Sequence, residues 1–185
     1  MNADERRPIR RPPALFVHEG GGDFGILCKL LAQQLGFDPT AWLEPAPEVA
    51  IAPLLTRKLP RREYAAPRLG TLIFHPSALP YRRGPDAIRH TVAAGERVSA
   101  ATWFWCDEGL DTGDICEQEP VVLLPGESAG RAYHTRFCPA GLTALRRALL
   151  GILAGEPRRI RQDEALATYD HALAQSRSPE ASRRG

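Results

Sequence analysis

The chain has 185 residues, 43% of them hydrophobic and 25% charged, which is the balance of one globular domain with enough mass to bury a core. Lys and Arg number 24 against 22 Asp and Glu, so a net charge of +2 makes no case for nucleic acid as a partner. No apolar window reaches the length of a membrane span, and the Arg-rich start is not followed by a signal core, so a cytoplasmic protein with no membrane partner is expected.

Arg6, Arg7, Arg10 and Arg11 crowd a Pro-rich start, and Arg177, Arg183 and Arg184 stand in a Ser- and Ala-containing tail. Solvated, disordered ends over 1–13 and 171–185 are expected around a domain at 14–170. Ala14 to His18 predicts a short strand that runs into Glu19-Gly20-Gly21-Gly22-Asp23. Apolar residues at Phe24, Ile26, Leu27, Leu30, Leu31 and Leu35 predict one helix face, closed by Gly36. Strand, glycine loop and helix is a phosphate-cradling order. The GxGxxG and P-loop patterns are absent, however, and Asp23 stands where an anion would sit, so the glycines read as a tight turn.

Residues 37–46 read as connection and Val49–Ala52 as a strand. Pro53 to Pro60 reads as loop, with a short helical or irregular piece continuing to Pro67. Leu69 to Phe74 is the strand that delivers His75. Pro85 to Ala94 predicts a helix with proline at its first position. Val98–Trp105 and a segment within Ile115–Leu124 predict strands. A helical segment is expected over 126–137, and a stronger helix over 139–154 with Leu142, Leu145, Leu149, Ile152 and Leu153 on one stripe. Gly155 and Pro157 end it, and a short polar piece with Tyr169 follows. The order predicts an α/β fold: a mostly parallel sheet with helices on both faces, finished by antiparallel strands and a packing helix.

Cys28, Cys106, Cys116 and Cys138 show no CxxC or Cys/His ligand spacing, so reduced thiols and no structural zinc are expected. The chemistry concentrates between Gly70 and Gly113. One apolar run ends in His75-Pro76-Ser77, and a second ends in Asp107-Glu108-Gly109-Leu110-Asp111-Thr112-Gly113. A loop that carries an ionisable group at each of two strand ends suits a site at the carboxyl edge of an α/β sheet. Taken singly, His75 could be a structural residue and the acidic loop a turn. Taken together, His75 and Asp111 form an acid/base pair, the carboxylate orienting the imidazole and the imidazole serving a developing oxyanion. A metal held by His75, Asp107, Glu108 and Asp111 is a weaker reading with only one histidine, and no metal is expected. A hydrolase triad through Ser77 lacks the nucleophile-elbow pattern.

HPSALPYRRG followed by DEGLDTG resembles the catalytic domain of the 10-formyltetrahydrofolate-dependent formyltransferases. The likeness runs from about Val49 to Tyr169, and the segment from Tyr133 to Asp170 looks most like the hydrolase domain of 10-formyltetrahydrofolate dehydrogenase. The resemblance implies a Rossmann-like catalytic domain over 14–170 with 10-formyltetrahydrofolate as cosubstrate, and tetrahydrofolate as the product left behind. It implies His75 at the formyl oxygen and Asp111 positioning water and relaying the proton. Folate contacts would come from Thr56, Arg57, Lys58 and Leu59 and from Asp107, Glu108, Gly109 and Leu110.

Three departures qualify the likeness. Ile73 stands where most transferases of the family place an Asn that donates to the oxyanion, and the dehydrogenase's hydrolase domain is also apolar there. The part before Val49 is shorter than usual, and no C-terminal barrel follows Tyr169. Transfer to water is therefore the first expectation, transfer to a sugar or amino-acid amine the second, and a non-catalytic folate-binding or regulatory module the third. The shortened sheet edge would be covered by a homodimer or a partner enzyme module.

Overall fold

The computed structural model describes residues 12–173 apart from Gly21, Trp42 and Glu44. The expectations for the chain ends, 1–13 and 171–185, fall largely outside the described residues. Six strands form one sheet: β1 (Ala14–Val17), β2 (Asp38–Thr40), β3 (Val49–Ala52), β4 (Thr71–His75), β5 (Val98–Trp105) and β6 (Ile115–Val122). Their order is β2-β1-β3-β4-β5-β6. The pairs from β2 to β4 are parallel, and β4–β5 and β5–β6 are antiparallel, so the expected mostly parallel α/β sheet is what the chain forms. Val49–Ala52 is buried at every position, as a central parallel strand covered on both faces must be.

Two side-chain sets leave β4 in alternation. Leu72 and Phe74 join the main core with Leu15, Ile51, Trp103 and Leu145, against α1 (Gly22–Gln34) and α5 (Cys138–Leu153). Close packing there depends on Gly141. A Cβ at that position would lie 2.7 Å from Phe74 and 2.9 Å from Phe24, and its carbonyl accepts Trp103 Nε1 at 2.8 Å. Ile73 lies on the other face with Leu79, Phe104 and Ile115, a smaller apolar cluster. The end of α2 (Arg61–Tyr64) lies against this second face, where Tyr64 O accepts Thr71 Oγ1 at 3.0 Å.

Several elements differ from their expected form. The connection at 37–46 contains β2, three residues with Pro39 at the centre, which an edge strand tolerates because one side of it needs no ladder partner. On α1 the buried side is Phe24, Gly25, Cys28 and Ala32, while Ile26, Leu27 and Leu30 are 60%, 46% and 48% exposed. Small residues win the inner face because they let the helix lie close. The helix α3 (Ala87–Ala93) begins after Pro85, since Asp86 has φ 62° and breaks the helical path. The expected 126–137 helix is α4 (Ala129–Ala132), capped by Ser128 accepting from Arg131 N, followed by a π-helical turn over Tyr133–Phe137 that runs into α5. Leu153, assigned to the buried stripe of α5, is 42% exposed, and Ala144 and Ala148 lie inside instead.

Candidate active site

His75 ends β4 at its carboxyl edge, but the loop that carries Asp111 does not leave the same edge. β4 and β5 are antiparallel, with Leu72 opposite Trp105 and His75 opposite Thr102, so the chain leaves β5 at the far end of β4. There Cys106 N donates to Thr71 O at 2.8 Å. The loop then folds back across the face that carries Ile73 and Phe104 and brings Asp111 to His75. The expectation of two loops leaving one sheet edge is corrected: the site lies on a sheet face, roofed by a returning loop.

The loop holds its shape through its own residues. Asp107 Oδ1 accepts Gly109 N at 3.0 Å and Thr112 Oγ1 at 2.7 Å. Gly113 sits so close to Trp105 that an added Cβ would be 1.7 Å from its carbonyl oxygen. Asp111 has φ 56°, and the other non-glycine residues with positive φ, Arg82 and Asp86, lie in the segment after His75. Unfavourable backbone collects where a structure over-determines a functional geometry. Among the described residues it collects around one pair.

That pair is His75 and Asp111. Nδ1 of His75 lies 3.6 Å from Oδ2 of Asp111, with both side chains largely buried. The same Oδ2 accepts the backbone N–H of Gly84 at 2.8 Å. Nε2 of His75 lies 2.8 Å from Arg82 O, and a carbonyl only accepts, so Nε2 carries the hydrogen. Nδ1 is left as the nitrogen that faces the carboxylate.

Beside the pair is a cleft of about 300 Å³. Ile73, Phe74, His75 and Phe104 line it from the sheet; Leu55 to Leu59 and Cys106, Asp107, Gly109, Leu110 and Asp111 form its walls. Lys58 Nζ donates to Glu108 O at 2.7 Å and ties the two walls together. Thr56, Arg57, Lys58, Leu59, Asp107, Gly109 and Leu110 thus line one cleft. The Glu108 side chain does not join them. It is exposed and pairs with Arg61 at 2.9 Å in a neighbouring groove. Arg57 pairs with Glu63 at 2.6 Å, which holds the Glu63 carboxyl below its usual range.

Two further groups border the cleft or hold its loop from behind. Burial, with Asp107 and Asp111 nearby, pushes the Cys106 thiol up to about 12, so it lines the cleft as a neutral thiol. Gln162 Nε2 donates to Asp111 O at 2.9 Å and to Gly113 O at 2.7 Å from a segment with no periodic signal. The weaker constellations do not assemble. Ser77 Oγ donates to Tyr81 O at 2.7 Å rather than engaging His75. Asp107 turns into its own loop and Glu108 turns outward, and among the described residues no three His, Cys, Asp or Glu side chains are placed to hold a metal. In the glycine loop, a Cβ at Gly20 would lie 2.2 Å from Leu54 O, the close approach that the tight-turn reading requires.

Residues 40–149, more than half of the chain, match the family model described as formyl transferase. The cytosolic 10-formyltetrahydrofolate dehydrogenase of Xenopus laevis is 36% identical over 123 residues, covering 66% of this chain and 14% of that protein. The methionyl-tRNA formyltransferase of Carboxydothermus hydrogenoformans is 37% identical over 123 residues, covering 66% of this chain and 40% of that one. The chain therefore spans a minor part of the length of these relatives. Among solved structures, HypX from Aquifex aeolicus in complex with tetrahydrofolic acid superposes with a TM-score of 0.78 at 20% identity, over 89% of this chain and 30% of that one, which shows a shared fold. The family match over residues 40–149, which include β3 to β6, the His75 segment and the Asp111 loop, places this chain in the formyl transferase family.

Proposed function

We propose that this chain removes the formyl group of 10-formyltetrahydrofolate and passes it to water. The supporting observation is the His75–Asp111 pair set against a cleft walled by the 55–59 and 106–111 segments. A volume of about 300 Å³ with an apolar floor suits a flat heterocycle, and backbone groups along both loops suit its polar edge. The dehydrogenases named above and the folate held by HypX support that choice of cosubstrate.

In the reaction, water held by Asp111 attacks the formyl carbon, and the carbonyl electrons move to oxygen. His75 stabilises that oxyanion. Because Nε2–H is committed to Arg82 O, only Nδ1 is available, and it donates as imidazolium with Asp111 as counter-ion. Asp111 takes the proton of the attacking water. As the oxyanion electrons re-form the C=O bond the C–N10 bond breaks, Asp111 returns that proton to N10, and tetrahydrofolate leaves with formic acid, which ionises to formate in solvent. Ile73 carries the choice of acceptor. It is half-buried on the cleft face opposite Phe104 and has no hydrogen to donate. A site with fewer oxyanion donors is slower, which suits hydrolysis better than rapid capture by an amine.

The test follows tetrahydrofolate release from 10-formyltetrahydrofolate spectrophotometrically, with and without amines. Release that needs no amine and drops by about a hundredfold or more in His75→Ala and Asp111→Asn is expected. Release only in the presence of an amine transfers the reading to an N-formyltransferase. Folate binding without turnover under every condition leaves a binding module and overturns the enzyme.

A further inference from the structure

The imidazole of His75 is oriented by a carbonyl, and that carbonyl is oriented by an arginine. Arg82 O lies 2.8 Å from His75 Nε2, and Arg82 itself has φ 57°. That left-handed conformation is uncommon for any residue except glycine, so something must hold it. Three anchors do. Arg82 N donates to Thr168 Oγ1 at 2.8 Å. Arg82 Nε donates to both carboxylate oxygens of Glu96 at 3.0 Å, and Nη2 also donates to Oε1. Arg82 Nη1 donates to Asp170 Oδ2 at 3.1 Å. The guanidinium is largely shielded, with 18% of the side chain exposed, as is Asp170 at 15%, so salt screens this clamp only partly.

We propose that Arg82 is the positioning residue of the site: clamped between Glu96 and Asp170, it holds its own carbonyl on His75 Nε2–H and so fixes the ring orientation that presents Nδ1 to the reacting group. The proposal rests on the role given to His75 above. A planar fork engages the two carboxylates in a fixed geometry, whereas an ammonium meets them as a freely rotating point charge. His90 also approaches Asp170, with Nδ1 at 3.8 Å from Oδ1, and Asp111 faces the other nitrogen of His75. These, with Glu96, are the ionisable groups that face the imidazole and its clamp.

The decisive measurement is the side-chain ¹⁵N spectrum of His75 in the intact chain, read beside the pH–rate profile of tetrahydrofolate release. Arg82→Ala should move the His75 Nε2 resonance away from that of a carbonyl-bound N–H, move the pH profile and lower the turnover rate by about tenfold, with folate affinity unchanged. Arg82→Lys should recover only part of this. Glu96→Gln, a milder change at a half-exposed carboxylate, should shift the spectrum the same way and settles the matter if Arg82→Ala does not fold. A folded Arg82→Ala, or failing that Glu96→Gln, with an unchanged His75 spectrum and pH profile overturns the clamp. Absence of turnover in the unaltered chain would overturn the formyl reading, while the spectrum would still judge the clamp.

Discussion

The amide oxygen of Gln162 accepts both Nε and Nη2 of Arg83, at 3.0 and 2.8 Å, while its nitrogen donates to the carbonyls of Asp111 and Gly113. All four hydrogen-bonding positions of one buried side chain are filled. Arg83 is fully buried and completes its own set with Glu164 and with Tyr169 Oη at 2.6 Å. Gln162 therefore transmits the position of a buried cation to the backbone of the loop that carries Asp111.

Gln162→Ala strips a buried guanidinium of one partner and leaves two loop carbonyls without donors. A loss of about 3 kcal/mol of stability is expected, together with a fall in turnover. Urea unfolding reads the first and tetrahydrofolate release the second. A variant as stable as the parent would show that Glu164 and Tyr169 alone satisfy Arg83.

Ile73→Asn places a donor where the cleft has none. Ile73 packs with Phe104, Leu79 and Ile115, so exchanging it for an amide should cost about 1–2 kcal/mol. Transfer to an amine acceptor should rise by about tenfold or more over the parent. Parallel melting and acceptor-dependence assays separate the two effects. An unchanged acceptor rate at retained fold would show that residue 73 does not decide the acceptor.

Gly84 has φ 99°, and its N–H is the donor to Asp111 Oδ2. A Cβ there would lie 2.4 Å from Asp170 O. Gly84→Ala must therefore shift the 167–170 segment or lose the contact to Asp111, and a loss of about 2 kcal/mol or more is expected. A crystal structure of the variant with the Gly84–Asp111 bond intact and no change in melting would contradict this.

His18 supplies a pH dependence. It is buried with Nε2 unpartnered, and burial holds its imidazole below the usual histidine range, with Glu63 opposing that shift and Arg57 adding to it. Above about pH 6.5 both folded and unfolded states keep it neutral. As the pH falls below that value the unfolded chain takes up a proton that the folded chain resists, and stability declines by up to about 1.4 kcal/mol per pH unit until the folded-state value is passed. Melting temperatures between pH 7.5 and 5.5 should fall less in His18→Phe, whose ring replaces the edge contact with Phe16. Equal declines in both proteins would assign the acid sensitivity elsewhere.

Much of the fold was legible in the sequence because its signals are local. Val49–Ala52 and Val98–Trp105 are apolar runs bounded by loop residues, and they coincide with β3 and β5. The same holds for α5, whose period appears within sixteen residues. β2 was not legible: three residues paired through one edge leave no pattern. The exposed Ile26, Leu27 and Leu30 misled for the opposite reason, since apolar spacing cannot show that Gly25, Cys28 and Ala32 will take the inner face.

His75 and the Asp107–Asp111 wall could be read from the sequence because each stands in a dense motif, whereas the Thr56–Leu59 wall came only from the family resemblance. Arg82 stood inside the first motif, but its carbonyl's role depends on Glu96 and Asp170, 14 and 88 residues away in the chain. Gln162 reaches Arg83 across 79 residues from a polar segment without periodicity. By itself the sequence determined which side chains the chemistry has at its disposal, because types and local runs are written along one dimension. Only the tertiary structure decided that the Asp111 loop starts at the far end of β4 and folds back over Ile73, and which nitrogen of His75 faces it. Strand direction and hydrogen-bond partnership are relations between distant segments, and no local pattern encodes them.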